Sequence, residues 1–263
     1  NLYFNRSITA ARAGIEDFGD GYEGSHRGFQ GIKTSTPEFL IAYMGIRKNR
    51  VHRIEREPKA MADFPEMQKL IDHLSSFVED DDLRNVIAAA EQYALATTNY
   101  FNQPHRPAHP IYGEYNTRTF SPVGKCLIRL GEKDSFFEMM SMIFMAKIAG
   151  NSVELSFPPE MRDLVKRLLG EANIADFKFV MEGPENLFRR MASQKYDIIR
   201  AAGADRIDEM VYIAAAYSKS FIDSRQITGD AKVDMLTQFR QRSVTDVYSK
   251  HGDPCLERLH GQR

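Results

Sequence analysis

Apolar and polar positions along the chain change rhythm twice. Up to residue 50 there are only short alternations, and glycines crowd positions 14, 19, 21, 24, 28 and 31. Leu2 and Phe4 alternate with Asn1, Tyr3 and Asn5, which fits either a strand or the remnant of a tag linker. "EFLIAYMGI" (38–46) reads as a strand, and residues 51–64 as a charged connector. From Pro65 the period lengthens. Met67, Leu70, Ile71, Leu74 and Phe77 recur at spacings of three and four, which predicts a helix. Leu83, Val86, Ile87, Ala90, Tyr93, Ala94 and Thr97 predict a second helix over 82–100, stopped by the prolines of "FNQPHRPAHP".

From about Gly124 strand and helix patterns alternate. "GKCLIRLG", "SVELSF", "DFKFVME", "YDIIRAAG" and "FIDSRQIT" read as strands. Between them lie "DSFFEMMSMIFMAKIAG", "PPEMRDLVKRLLGEA", "PENLFRRMASQ" and "IDEMVYIAAAYSKS", which read as helices. In the first of these, Ser135 and Glu138 are placed as a capping box and Gly150 as a stop. That helix is apolar nearly all round and is expected to be covered on most sides. "VDMLTQFRQRSVTDVYSKHG" reads as a closing helix. The alternation predicts an α/β fold, a Rossmann-like, mainly parallel sheet with flanking helices, preceded by a helical segment.

Composition narrows the class. The 263 residues are 43% hydrophobic and 11% aromatic, enough for a substantial core. Lysine and arginine number 35 against 36 acidic residues, so the overall balance carries no footprint for nucleic acid. Only Cys126 and Cys255 are present, which favours a reducing, cytoplasmic setting over a disulfide framework. The most apolar stretch is interrupted by Glu138 and Lys147 and is too short and polar to span a bilayer. No secretory leader is visible, and a first residue other than Met leads us to expect a piece of something longer.

Candidate chemistry is sparse. "GDGYEG" matches G-x-G-x-x-G at Gly19, Gly21 and Gly24, but no apolar strand leads into it and no helix pattern follows, so it reads as a polar loop. "RLGEKDS" joins a strand to a helix, where a phosphate would sit, yet Glu132 and Asp134 would repel it. The alternating segment is therefore expected to hold no nucleotide. His105 and His109 lack further ligands for a metal and read as solvated loop residues. Cys126 lies within an apolar strand and reads as a small buried hydrophobe; Cys255 reads as incidental. The acidic run Glu79–Asp82 reads as a solvated turn. No Ser/His/Asp set or carboxylate pair stands out, and no catalytic residue is assigned.

Taken as a whole, the glycine-rich start resembles the segment downstream of the catalytic cysteine in aldehyde dehydrogenases, most closely the pyrroline-5-carboxylate (glutamate semialdehyde) dehydrogenase branch. Asn1, Leu2, Tyr3, Asn5 and Arg6 fit its N-L-Y-x-N-R; Ile8, Thr9 and Ala11 fit I-T-G-A; Phe18 and Gly19 fit F-G-G. Gly31, Lys33, Pro37, Phe39 and Leu40 fit the following G-x-K-A-G-G-P and aromatic-Leu pair. Gly113, Glu114 and Asn116, and later Leu236, Phe239, Arg240, Gln241, Ser243, Tyr248, His251 and Gly252, are similar to segments of long bacterial proline utilization A proteins. The order of these motifs is more specific than any one of them, and it favours a native opening strand.

The resemblance implies the C-terminal portion of an NAD-dependent enzyme that oxidises glutamate 5-semialdehyde to glutamate in proline catabolism. The nucleophilic cysteine, the general-base glutamate and the NAD-binding domain would lie upstream of Asn1, leaving this chain inactive alone and without a cofactor of its own. Phe18 would border the aldehyde pocket, and Gly31, Thr34 and Ser35 would occupy or border the stretch whose amides hold the substrate carboxylate. The chain departs from the pattern at Asp20, Thr34, Ser35 and Thr36, and an aspartate beside a pocket for an acidic substrate opposes binding. The implied organisation is a remnant of the catalytic and oligomerisation region over 1–50, a helical connector over 51–110 and a non-catalytic Rossmann-like domain over 111–263. Its partners would be the upstream dehydrogenase domain and a second copy, with strand 38–46 at the contact, and neither nucleic acid nor membrane. The alternatives are a non-catalytic scaffold or dimerisation module of the same family, and an independent small-molecule-binding Rossmann domain.

Overall fold

The computed structural model describes residues 2–4, 54–78, 81–106, 114–170 and 177–247. Its elements in chain order are β1 (Leu2–Phe4), α1 (Pro65–Ser75), α2 (Asp81–Ala96), β2 (Glu114–Pro122), β3 (Lys125–Arg129), α3 (Phe136–Ile148) and β4 (Ser152–Phe157). There follow α4 (Arg162–Val165), β5 (Lys178–Met181), α5 (Pro184–Ser193), β6 (Ile198–Arg200), α6 (Glu209–Ser218), β7 (Phe221–Asp223), α7 (Ala231–Asp234) and β8 (Phe239–Val247). Five strands form a parallel sheet in the order β5-β4-β3-β6-β7. Three others form a second sheet in the order β1-β8-β2, with β8 parallel to β1 and antiparallel to β2.

The parallel sheet is covered on both faces because its central strands are apolar on both. Cys126, Ile128, Val153, Leu155 and Ile198 face a core shared with α1, α2, α3 and α4. Leu127 and Ile199 pack with Leu187 and Met191 of α5 and Val211, Ala214 and Ala215 of α6. The capping box is present: the Ser135 hydroxyl accepts from the Glu138 amide, and the Glu138 carboxylate accepts from the Ser135 amide. Gly150 ends the helix at φ +84°, a conformation that costs glycine least. Between them Met139 to Ala146 are all buried, since α3 is sandwiched between the sheet and the α1–α2 pair. Each buried Met, Ile or Phe among them contributes about 1.5–3 kcal/mol by leaving water. Of the acidic run, Asp81 and Asp82 open α2, exposed and at the end where the helix dipole favours carboxylates.

Three expectations need correction. The chain over 233–252 does not continue as a helix. After α7 and a single 3-10 turn (Met235–Gln238) it becomes the extended β8. Val233, Leu236 and Phe239 are buried at a helical spacing, but from Phe239 onward nine residues pair with β2, from Pro122↔Phe239 to Glu114↔Val247. β2 itself has no counterpart in the periodicity reading. The second helix is α-helical only to Ala96, where a wider π turn takes over to Phe101, and the amphipathic helix after β4 is split into a 3-10 turn, α4 and a π turn.

A polar joint links the two sheets. The Asn151 amide donates to the backbone and side-chain oxygens of Gln238, and its oxygen accepts from the Gly124 amide. Gly124 sits at φ +121°, and a Cβ there would lie 2.6 Å from the Asp197 carboxylate. Asp197 already accepts from the Lys125 amide. Gly124→Ala is expected to cost about 1–3 kcal/mol, because both the backbone conformation and the space are closed to a side chain. A urea midpoint equal to that of the parent protein would contradict this.

Candidate functional site

In open parallel sheets, ligands settle beyond the carboxyl ends of the strands where the order reverses. Here the reversal falls between β3 and β6, since the chain leaves β3 toward β4 on one side and β6 toward β7 on the other. The crevice is bordered by 130–135 after β3 and 201–208 after β6. Its phosphate-binding groups are taken by the chain's own carboxylates. The Gly131 amide donates to Asp134 Oδ2 at 2.8 Å, and the first amides of α3 belong to the capping box. Arg206 reaches across from the β6 side to Asp134 Oδ1 at 2.9 Å and the Lys133 carbonyl at 2.6 Å, with Glu138 at 3.9 Å. Burial raises the Asp134 carboxyl against these partners. Glu132 is exposed. An anion entering here would have to displace Asp134 from both a backbone donor and a guanidinium.

On the α5 face of the sheet, Arg190 is bound by two buried carboxylates. It forks onto Glu182 and also contacts Glu154 and the Tyr196 hydroxyl. Glu154 accepts from Tyr196 at 2.6 Å and from Lys178 at 2.8 Å; Glu182 accepts from Ser156 at 2.7 Å. Arg129, at the end of β3, donates to Ser156 and to the Glu182 carbonyl. Burial raises the Glu182 carboxyl. At the β7 side of the sheet, Asp223 accepts from Arg225 and Thr237 and stands 3.7 Å from the buried Arg200. Burial alone would raise its carboxyl, but Arg200 and Arg225 outweigh that and hold it well below the usual carboxylate range.

Cys126 is fully buried, and burial pushes its thiol up to about 12, so it is a packing residue without nucleophilic thiolate at neutral pH. His105 is not a solvated loop residue: its Nε2 is 2.8 Å from the Tyr100 carbonyl and its ring packs on Tyr100 and Phe120. Among the described residues no group of three His, Cys, Asp or Glu is placed to hold a metal, and no helix is long and apolar enough to cross a membrane. Phe18, Gly31, Thr34 and Ser35 lie outside the described residues, as do the Gly19–Gly24 motif, strand 38–46, His109 and Cys255. Arg206 and Arg190 had no sequence signal; each finds its partners only when distant segments meet.

No protein-family model matches the chain, and no curated protein matches it in sequence. Solved structures do match its fold. Proline Utilization A (PutA) from Corynebacterium freiburgense covers 94% of this chain at 16% identity and a TM-score of 0.56. Substrate-bound AldH from Staphylococcus aureus covers 62% at 16% identity and a TM-score of 0.51. The chain spans only 20% and 40% of those two proteins respectively. At this identity the likeness is one of fold: a five-stranded parallel sheet flanked by helices, the Rossmann-like α/β arrangement found in aldehyde dehydrogenases.

Proposed function

We propose that this chain is the C-terminal portion of an NAD-dependent dehydrogenase that oxidises glutamate 5-semialdehyde, formed from 1-pyrroline-5-carboxylate, to glutamate in proline catabolism, and that it is inactive alone. The observation that carries the reading is the fold match to proline utilization A over 94% of the chain, which runs alongside the ordered motifs from Asn1 to Gly252. In this reading the upstream dehydrogenase domain supplies the cysteine, the glutamate and the NAD site. Phe18 borders the aldehyde, and amides around Gly31, Thr34 and Ser35 hold the substrate carboxylate. The parent is cytoplasmic and oligomeric. Residues 51–110 connect its catalytic remnant to the non-catalytic domain over 111–263.

A crevice filled by Asp134 and Arg206 supports a domain without its own nucleotide. It equally favours the second reading, a scaffold or dimerisation domain derived from the same family. Calorimetric titration of the isolated chain with millimolar NAD is expected to give no binding heat, and glutamate semialdehyde with NAD no NADH. A micromolar constant would overturn the reading in favour of an independent nucleotide-binding domain. The reading frame upstream of Asn1 separates the first two: a dehydrogenase domain with its cysteine and glutamate supports the enzyme portion, and its absence the scaffold.

A further inference from the structure

A cavity of about 490 Å³ lies away from the crevice, between α2 with its π turn and the loop that enters α7. One wall is Gln92, Leu95, Ala96, Asn99 and Tyr100, whose spacing puts them on a single helix face. The other is the segment Gly229, Asp230, Ala231 and Lys232. The volume suits a small organic ligand, and π turns occur frequently at functional sites. Here the π turn is closed by the Asn102 amide donating to the Thr97 carbonyl, and it sets the Tyr100 ring against Phe101 and His105.

The polar groups on these walls are complementary to a particular ligand chemistry. Lys232 Nζ lies 4.7 Å from the centre of the Tyr100 ring and makes no ion pair among the described residues. Asp230 caps α7, with Oδ1 accepting the amides of Lys232 and Val233, while Oδ2 takes no hydrogen bond among the described residues. Among the described residues, an exposed cation without an ion pair and an exposed carboxylate oxygen without a hydrogen bond thus stand two residues apart on one wall. Gln92 uses its amide nitrogen on the Glu55 carbonyl, which leaves its oxygen as an acceptor. Leu95, Ala96 and the Tyr100 ring offer apolar surface opposite. The nearby Glu91 carboxylate is consumed by Arg56 and the Glu57 amide and does not compete.

We propose that this cavity binds a free α-amino acid as its zwitterion: carboxylate on Lys232, ammonium on Asp230 Oδ2, and an apolar side chain against Leu95, Ala96 and Tyr100. A ligand with only one of the two charges forgoes one of the two charge-assisted contacts, which costs affinity. The inference does not depend on the dehydrogenase reading.

The test is an NMR titration of the isotope-labelled full chain with three probes: L-leucine, 4-methylpentanoate (no ammonium) and 3-methylbutylamine (no carboxylate). L-leucine is expected to give saturable shifts at the Gly229–Lys232 amides and the Gln92 and Asn99 side-chain amides. The other two probes are expected to bind roughly tenfold more weakly, the loss of one charge-assisted contact. Lys232→Met should weaken leucine by a similar factor. So should Asp230→Asn, which keeps the helix cap while removing the charge. Absence of shifts at saturating leucine, equal binding of all three probes, or leucine binding unchanged by both substitutions would overturn the proposal.

Discussion

Asp223→Ala is expected to lower the melting temperature by roughly 10 °C, the effect of losing about 3–5 kcal/mol in a chain of this size. The substitution deletes more than a contact. Arg200 is only 1% exposed, so without Asp223 its guanidinium stays buried beside backbone carbonyls without its near counter-charge, the buried Asp234 carboxylate acting only from farther away. Arg225 and Thr237 lose a shared acceptor at the same time, leaving only their own 3.3 Å contact to tie the end of β7 to the turn before β8. The pH dependence gives a second check. The folded carboxyl is held below its unfolded value, so its contribution is fully present above about pH 4 and is lost as pH falls toward the folded value. The variant has already lost that contribution. The stability gap between parent and variant should therefore narrow below pH 4 in urea melts. A gap independent of pH would assign the loss to packing instead.

Arg190→Met is expected to cost a similar amount, about 3–5 kcal/mol near neutral pH, with the opposite use of acid. Glu154 and Glu182 are 3% and 5% exposed, and Arg190 is the cation between them. Lys178 and Arg129 remain in the variant, but Lys178 is largely exposed and Arg129 reaches only the Glu182 carbonyl and Ser156. Two buried carboxylates are then left undercompensated. Burial already raises the Glu182 carboxyl in the parent protein, and removing the guanidinium raises it further. A carboxyl raised in the folded state binds its proton before the unfolded chain does. The variant should therefore regain stability as pH falls from neutral toward the unfolded glutamate value of about 4.3. Urea midpoints at pH 7.5 and pH 5 would show the gap closing. A constant gap would mean that the methionine simply packs badly.

The two substitutions concern residues that sequence reading passed over, and the reason is physical. A helix or a buried strand announces itself through neighbours three, four or two positions away. Those relations are local, and most of the fold was legible in them. Met67, Leu70, Ile71 and Leu74 lie buried on one face of α1; Ser135, Glu138 and Gly150 bound α3; the five strands from Cys126 to Asp223 stand where the apolar runs fall. At the β3–α3 turn the sequence showed Asp134 only as a charge that would repel phosphate. The structure adds that Asp134 takes the phosphate's own donors, with Arg206 fastened to it.

What the sequence by itself determined is thus the α/β alternation, the caps of α3 and the burial of the central strands. Tertiary structure decided the rest. Val233, Leu236 and Phe239 keep a helical spacing, yet the chain extends at Phe239 because β2 offers nine partners there and β1 pairs along the other edge of β8. His105 is half-buried because Tyr100 and Phe120 come together around it. Arg200 is buried, and Arg190 half-buried, because carboxylates from other segments of the chain meet them. Pairing of a strand, and burial of a charge, are stabilised by groups brought from far along the chain, so no local period records them.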